Sequence, residues 1–235
     1  MAKHKLSGRN PHRFERTIHS YDRRSGWRQP SRCILIVCEG AETEPNYFKN
    51  LKDYLKLSTI QVKIINRGGA PITLIDEVSV QIEKREKEIQ EGRMNAHEFE
   101  GVWCVFDVEN PNDNQTFDRA VQAADQRYYH LAVSNPAFEY WYLLHFDPAT
   151  TRPFANGREV KTYLQRFIPD YHEAMSIFNQ LKDSTQKAIQ RARNILENRP
   201  KAEPRFPNPS TQVYLLVEEM IEMSPSGCEQ LRKQE

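Results

Sequence analysis

An uninterrupted apolar segment at residues 33–38 constrains the fold of this chain more than any other feature. Its sequence, CILIVC, is uncharged and rich in β-branched and large apolar residues. Such a run predicts a strand that is buried on both faces, as in a parallel sheet. The strand ends at Glu39 and Gly40, and ligands of open α/β sheets bind beyond the carboxyl ends of the strands. Glu39 is therefore a candidate site residue.

A second apolar strand, at 102–107, ends in two further carboxylates. Asp107 and Glu109 are alternate residues of an extended segment, so both side chains point to the same side. Neighbouring carboxylates repel one another unless a cation neutralises them. Together with Glu39, the pair predicts a site for a hard divalent cation, Mg²⁺ or Mn²⁺. The alternative for each residue taken alone is a turn or a helix cap.

Strand and helix patterns alternate from residue 33 to about 146, which predicts an α/β fold with a doubly wound, mostly parallel sheet. The predicted strands are 33–38, 59–65, 102–107 and 131–133. The predicted helices are 43–56 with Thr43 as N-cap, 72–91, 115–128 and 136–146. After 147 the strand signal fades, and helices are predicted at 157–167, 173–198 and 210–223. The expected organisation is an arm at 1–32, an α/β core at 33–147 and a helical extension at 148–235 packed on the core.

Glu139 is a further candidate, in the segment NPAFEYW that follows the fourth predicted strand. It falls in the first turn of a helix that begins at Pro136, near the same sheet edge as the other carboxylates. The alternative is a residue that only interacts with the helix dipole. His145 lies six residues further on, which is not the spacing of a helical metal-binding pair, and is predicted to be structural.

The charge of the chain is unevenly distributed. The net charge is +1, but residues 1–32 contain nine basic residues against two acidic ones, which gives +7 and leaves −6 for the remainder. A basic arm ahead of an acidic domain fits contact with nucleic acid phosphates, and the alternative is a solvated tail. A glycine-rich turn at 67–69 and a basic helical stretch further on add candidate phosphate contacts, although a solvated helix face also explains the latter. The candidate nucleic-acid-binding residues are Arg23, Arg24, Arg28, Arg67, Lys187 and Arg191.

Several classes of protein are excluded or disfavoured by the sequence. The four cysteines form no CxxC pair and are predicted to be reduced core residues. No apolar run is long enough to span a membrane, and the charged N-terminus is unlike a signal peptide, so the expected location is the cytoplasm. The chain has no HExxH motif, no zinc-binding spacing and no Ser-His-Asp order.

The carboxylate pattern resembles the TOPRIM fold of topoisomerases, bacterial primases and OLD-family nucleases. That signature is a Glu after the first strand and a DxD-type pair after a later one; here these are Glu39, and Asp107 with Glu109, where Glu replaces the second Asp. The RloB-like branch is more similar still. This resemblance rests on VCEGAETEPNYF at 37–48, NPAFEYWYLLHF at 135–146 and NPST at 208–211, and it spans about 33–223.

The resemblance implies a metal-dependent nuclease, acting on DNA or RNA, of a bacterial anti-phage defence system such as abortive infection. RloB-like proteins are often encoded beside an ATPase, which is therefore an expected partner. On this interpretation Glu39, Asp107 and Glu109 hold Mg²⁺ or Mn²⁺, and Glu139 is a further ligand or a base. The alternative is a non-catalytic TOPRIM-like module that binds an ATPase or nucleic acid. A topoisomerase or primase is disfavoured because no matching extra domain is found. The oligomeric state is left open.

Overall fold

The computed structural model of the protein describes residues 32–58, 62–66, 71–93, 98–108, 114–147, 151–200 and 204–224. All of them belong to the unit that begins at Arg32. Within these residues the backbone is organised around a sheet with the strand order β2-β1-β3-β4-β5. The strands are β1 (Ile34–Cys38), β2 (Val62–Asn66), β3 (Gly101–Asp107), β4 (His130–Asn135) and β5 (Ser210–Thr211).

The first four strands are parallel. β1 pairs with β2 on one side and with β3 on the other, and β4 pairs with β3. Every residue of β1 is 0% exposed. This explains why its sequence is continuously apolar, because neither of its faces meets water. The predicted α/β class and the mostly parallel sheet are confirmed.

Helices cover both faces of the sheet. Ile34 and Ile36 of β1 face a cluster that includes α1 (Thr43–Tyr54) and α4 (Glu139–Phe146). Leu35 and Val37 face the opposite cluster, which contains α2 (Pro71–Gln90) and α3 (Asn114–Gln126). The alternation of side chains along β1 thus divides the core into two layers. The result is a three-layer arrangement that holds the carboxyl ends of β1, β3 and β4 at one edge.

The C-terminal segment completes the layer that contains α1 and α4. Its elements are α5 (Gly157–Leu164), α6 (Phe178–Leu181), a 3₁₀ helix (Lys182–Ser184), α7 (Thr185–Glu197) and α8 (Val213–Met223). Buried residues such as Leu164, Ile189 and Val217 belong to the same cluster as Ile34. The hydrophobic core therefore runs without interruption across residue 147, where the sequence predicts the start of the extension.

Strand β5 has only two residues and was not predicted. It pairs antiparallel with the end of β4, so that Thr211 lies opposite Ser134. The two hydroxyl groups are 3.0 Å apart and form a buried hydrogen bond. A pattern of two residues carries no strand signal, which is why the sequence assigns this segment to a helix that begins at 210.

The structure corrects three of the helix predictions, two at the start of the helix and one by dividing the helix. Thr43 is not the cap of α1, because the helix begins at Thr43 itself and its hydroxyl donates to the carbonyl oxygen of Glu173 at 3.2 Å. α4 begins at Glu139 and not at Pro136. The single helix predicted at 173–198 is replaced by the shorter α6, 3₁₀ and α7 helices, since the chain from 171 to 177 runs in non-helical conformation. In the part of the chain that the structure describes, no helix has the length and apolar character needed to cross a membrane.

Candidate carboxylate cleft

A cleft of about 220 Å³ lies at the carboxyl ends of the parallel strands. Its walls come from the turn after β1, the start of α1, the end of β3, the start of α4, helix α5 and the segment around residue 173. Half of the residues that line it are acidic. The residues that line it are Gly40, Ala41, Glu42, Thr43, Glu44, Asp107, Phe138, Glu139, Lys161 and Glu173.

Glu39 and Asp107 are brought together by the pairing of β1 with β3. The backbone N–H of Glu39 continues the ladder by donating to the carbonyl oxygen of Val105 at 2.9 Å. The backbone N–H of Asp107 in turn donates to Oε2 of the Glu39 side chain at 3.3 Å. The two carboxylates therefore lie at the same edge of the sheet, as their positions after neighbouring parallel strands require.

The two carboxylate oxygens of Asp107 differ in their surroundings. Its Oδ2 accepts the backbone N–H of Phe138 at 2.9 Å, which ties the approach to α4 to the end of β3. Its Oδ1 is buried and has no hydrogen-bond partner among the residues that the structure describes. A buried polar atom without a partner is costly, and it is typical of a site that accepts a ligand.

The surroundings of Asp107 oppose its ionisation. Burial raises the pKa of this carboxyl well above its usual range, and the charges of Glu44 and then Glu139 raise it further. The hydrogen bond from Phe138 acts in the opposite direction, and Glu39 adds a smaller increase. The charges of Glu44, Glu139 and Glu39 therefore disfavour an ionised Asp107 unless positive charge reaches the site, although Glu39 is not among the residues that line the cleft.

Glu44 is a site residue that the sequence argument did not single out. It lies in the first turn of α1, is 6% exposed and lines the cleft. A Cβ atom on Gly40 would lie 1.9 Å from Oε2 of Glu44, so the glycine leaves the space that this carboxylate occupies. A first-turn Glu usually indicates only a helix-dipole residue. What could have predicted Glu44 as a site residue is its position in the sequence, because the first turn of α1 comes soon after the end of β1.

Glu139 is the first residue of α4 and is 3% exposed. The hydroxyl of Tyr171 donates to its Oε1 at 3.0 Å, and Nζ of Lys161 lies 3.8 Å from the same oxygen. Burial raises the pKa of its carboxyl group, while Lys161 acts to lower it. The structure therefore places Glu139 in the cleft with Asp107, beside a cation and a hydroxyl donor.

Lys161 and Glu173 were not predicted as site residues. Both follow residue 147, in the segment that the sequence assigns to a helical extension, and they form an ion pair with each other at the mouth of the cleft. Their sequence contexts are ordinary charged helix and loop patterns. They reach the site through the packing of α5 against α4 and through the position of the segment around residue 173.

The remaining predicted residues divide into two groups. Glu109, Arg23, Arg24, Arg28 and Arg67 lie outside the described residues. Lys187 and Arg191 lie on α7, and neither lines the cleft. Lys187 is exposed, whereas Arg191 donates to the carbonyl oxygen of Leu144 at 2.6 Å, near the end of α4.

His145 has the surroundings of a core residue. It is 4% exposed, and its Nδ1 donates to the carbonyl oxygen of Trp141 at 2.9 Å. Burial lowers its pKa to about 4. The imidazole is therefore neutral at physiological pH, and it is not among the residues that line the cleft.

The oxygen ligands of the cleft are of the type that a hard cation binds, but their arrangement is not a complete coordination site. Carboxylate oxygens are the ligands that Mg²⁺ and Mn²⁺ prefer, and Oδ1 of Asp107 accepts no hydrogen bond from the described residues. Among the described residues, however, no three His, Cys, Asp or Glu side chains are grouped closely enough to hold a metal ion as they stand.

Comparison with known protein families gives a match. The family model described as RloB-like protein matches residues 34–220, which is most of the chain and includes every residue of the cleft. No curated protein matches the chain. No solved structure matches it.

Proposed function

The chain belongs to the RloB-like family, and we propose that it is a metal-dependent nuclease that hydrolyses phosphodiester bonds of DNA or RNA. One observation carries this proposal. Asp107, at the end of a central strand, lies close to the carboxylates of Glu44, Glu139 and Glu39, and its buried Oδ1 has no hydrogen-bond partner in the described part of the chain. Such an arrangement opposes folding, which is typical of a functional site and not of a structural contact.

A divalent cation would offset the repulsion among these groups. Asp107 and Glu39 are the first candidates to hold it, because they meet at the ends of adjacent strands. Glu44 adds a carboxylate from α1, and Glu109 is the ligand that the sequence predicts outside the described residues. A bound Mg²⁺ or Mn²⁺ supplies stabilisation of the charge that develops on the phosphoryl oxygens.

Glu139 is suited to accept the proton of the attacking water, because it lines the cleft and burial raises the pKa of its carboxyl group, which strengthens the carboxylate as a base. Tyr171 orients its carboxylate through the hydrogen bond to Oε1. In the hydrolysis, a bond forms between the water oxygen and phosphorus while the bond from phosphorus to the leaving oxygen breaks. The water gives its proton to the Glu139 carboxylate, and the leaving oxygen takes a proton from solvent, so that the hydrolysis consumes one water in total.

The biological setting that fits this activity is bacterial anti-phage defence, with an ATPase as partner, as the resemblance of the sequence implies. A second function is a non-catalytic module that binds nucleic acid or the ATPase. The observation that favours it is the lack, among the described residues, of a ready-made group of three metal ligands.

The deciding experiment is cleavage of labelled DNA and RNA by the purified chain with Mg²⁺, with Mn²⁺ and with EDTA. We expect cleavage only with a cation. Glu39→Gln and Asp107→Asn should each lower the rate by about 100-fold or more, because each removes a candidate ligand of the cation. Asp53→Asn is the matched control, since Asp53 is exposed on α1 and does not line the cleft.

Thermal unfolding of the same proteins separates loss of chemistry from loss of fold. The cation should raise the Tm of the wild type, because a ligand that binds only the folded state stabilises it. The increase should disappear in Asp107→Asn. Cleavage that survives EDTA, or full activity of Asp107→Asn, would exclude the metal-dependent mechanism. Nucleic acid binding without cleavage would leave the binding module.

A further inference from the structure

Lys161 is the one cation among the described residues that line the cleft. It extends from α5, which is anchored by two residues with 0% exposure, Val160 and Leu164. Asn156 caps the helix by accepting the backbone N–H of Glu159 at 3.1 Å. The backbone that carries Lys161 is therefore well fixed, while 35% of its side chain remains exposed to an incoming ligand.

Two carboxylates compete for this ammonium group, and they differ in mobility. Glu139 is buried and held by Tyr171, and its Oε1 is 3.8 Å from Nζ. Glu173 forms the closer ion pair, yet 61% of its side chain is exposed. Its backbone is held by the hydrogen bond from Thr43. The carboxylate of Glu173 can thus turn away into solvent while the chain that carries it stays in place.

We propose that Lys161 is the phosphate-contacting residue of the cleft, and that the Glu173 carboxylate occupies, in the absence of substrate, the position of a non-bridging phosphate oxygen. This inference rests on the proposed function and adds the group that binds the anion. An exposed ion pair contributes little to stability, so a phosphate can replace Glu173 at small cost. A polyanionic substrate also needs such a group, because acidic side chains otherwise surround the entrance.

The exchange predicts opposite effects of the two partners on substrate binding. Lys161→Met should weaken binding and reduce the slope of log Kd against log salt by about 0.7 for a single strand or about 0.9 for a duplex, the loss of one phosphate contact. Glu173→Gln should tighten binding by about two- to fivefold, because the competing carboxylate is removed. The double variant should bind like Lys161→Met, since Glu173 acts only through Lys161.

Binding is measured by fluorescence anisotropy with short labelled DNA and RNA strands, over a range of salt concentrations, in EDTA so that the probe stays intact. Lys84→Met is the matched control, because Lys84 is exposed on α2, across the sheet from α5. Lys161→Arg keeps the charge and should keep the wild-type slope. If Lys161→Met lowers the Tm, Lys161→Arg still tests whether the positive charge at this position sets the salt dependence of binding.

The outcomes distinguish this inference from the function on which it rests. A wild-type slope in Lys161→Met, in a protein that still cleaves with a cation, overturns the role of Lys161 and leaves the nuclease intact. A reduced slope in Lys161→Arg also overturns it, since the positive charge is then not what matters. A wild type that neither binds nor cleaves nucleic acid removes the proposed function, and this inference with it.

Discussion

At the scale of single residues, Glu139 shows that ionisation of a buried cleft carboxylate lowers the stability of the fold. Its pKa is raised by burial, so the folded state binds a proton more tightly than the unfolded state does. The stabilisation that the protonated group provides is fully present below the ordinary pKa of a glutamate and is lost as the pH rises through the raised value. Ionisation of Glu139 as the pH rises therefore reduces the stability of the fold.

Glu139→Gln should accordingly leave the Tm at neutral pH unchanged or raise it, while cleavage falls strongly. The amide oxygen still accepts the Tyr171 hydroxyl, but it accepts no proton from water. In EDTA, the variant should also gain less stability than the wild type as the pH is lowered. The measurements are thermal unfolding across a pH series and initial cleavage rates.

Glu159→Gln is a control for which the expected change in Tm has the opposite sign. The pKa of Glu159 is lowered by the backbone N–H of Ala155 and by Arg152, so its charge stabilises the fold and its removal should lower the Tm without changing cleavage. Full activity in Glu139→Gln would instead assign that residue to the helix dipole.

The sequence could predict Glu39 and Asp107 because both follow apolar strands, and the ends of adjacent parallel strands must meet. It could not predict Glu44, since burial of a first-turn glutamate depends on the glycine packed against it. The sequence could not predict Lys161 and Glu173 as site residues either. They come to the cleft through the packing of α5 and the 171–177 segment, which no local pattern specifies.

At the scale of elements, α4 and α7 are joined by one charged side chain. α4 is buried along almost its whole length, so the carbonyl oxygens at its end need donors from the protein. Arg191 supplies one by its hydrogen bond to the Leu144 oxygen. Lys187, one turn earlier on α7, is exposed instead.

Arg191→Gln should therefore destabilise the protein by about 1.5–3 kcal/mol, the range for a hydrogen bond to a charged group. Lys187→Gln should leave stability unchanged and is the matched control. The predicted role of both residues in binding nucleic acid is tested with the same proteins by anisotropy. Equal free energies of unfolding for Arg191→Gln and wild type, measured with urea, would argue against the link between the helices.

The strong apolar runs explain why β1 and β3 were predicted to within a residue. Element ends were less predictable, because they depend on partners distant in sequence. Where the helix predicted from Pro136 would begin, the N–H of Phe138 bonds to Asp107, and α4 starts at Glu139. The short β5 exists only because β4 offers it an edge.

At the scale of the whole molecule, charge is divided between the arm and the rest of the chain. Residues 1–31 contain eight basic and two acidic residues, a charge of +6. Arg32 belongs with the fold, since it pairs with Glu219 at 2.6 Å. The arm lies outside the described residues. Its role in binding nucleic acid remains a prediction that rests on its positive charge.

Deletion of residues 1–31 should weaken nucleic acid binding and flatten its dependence on salt, because fewer counterions are released from the phosphates. Stabilisation by the divalent cation should remain, since the cleft is built from residues after the deletion. Salt titrations of the full chain and the shortened chain test this directly. Identical salt slopes would show that the arm makes no phosphate contact.

The uninterrupted core has a further consequence for the time at which the protein becomes active. During translation, Glu39, Asp107 and Glu139 leave the ribosome well before Lys161 and before the apolar residues of α7 and α8. A nascent chain that ends near residue 147 contains most of the cleft carboxylates but lacks much of the layer that buries α1 and α4. The proposed activity therefore requires that α7 and α8 have been synthesised and have packed on α1 and α4.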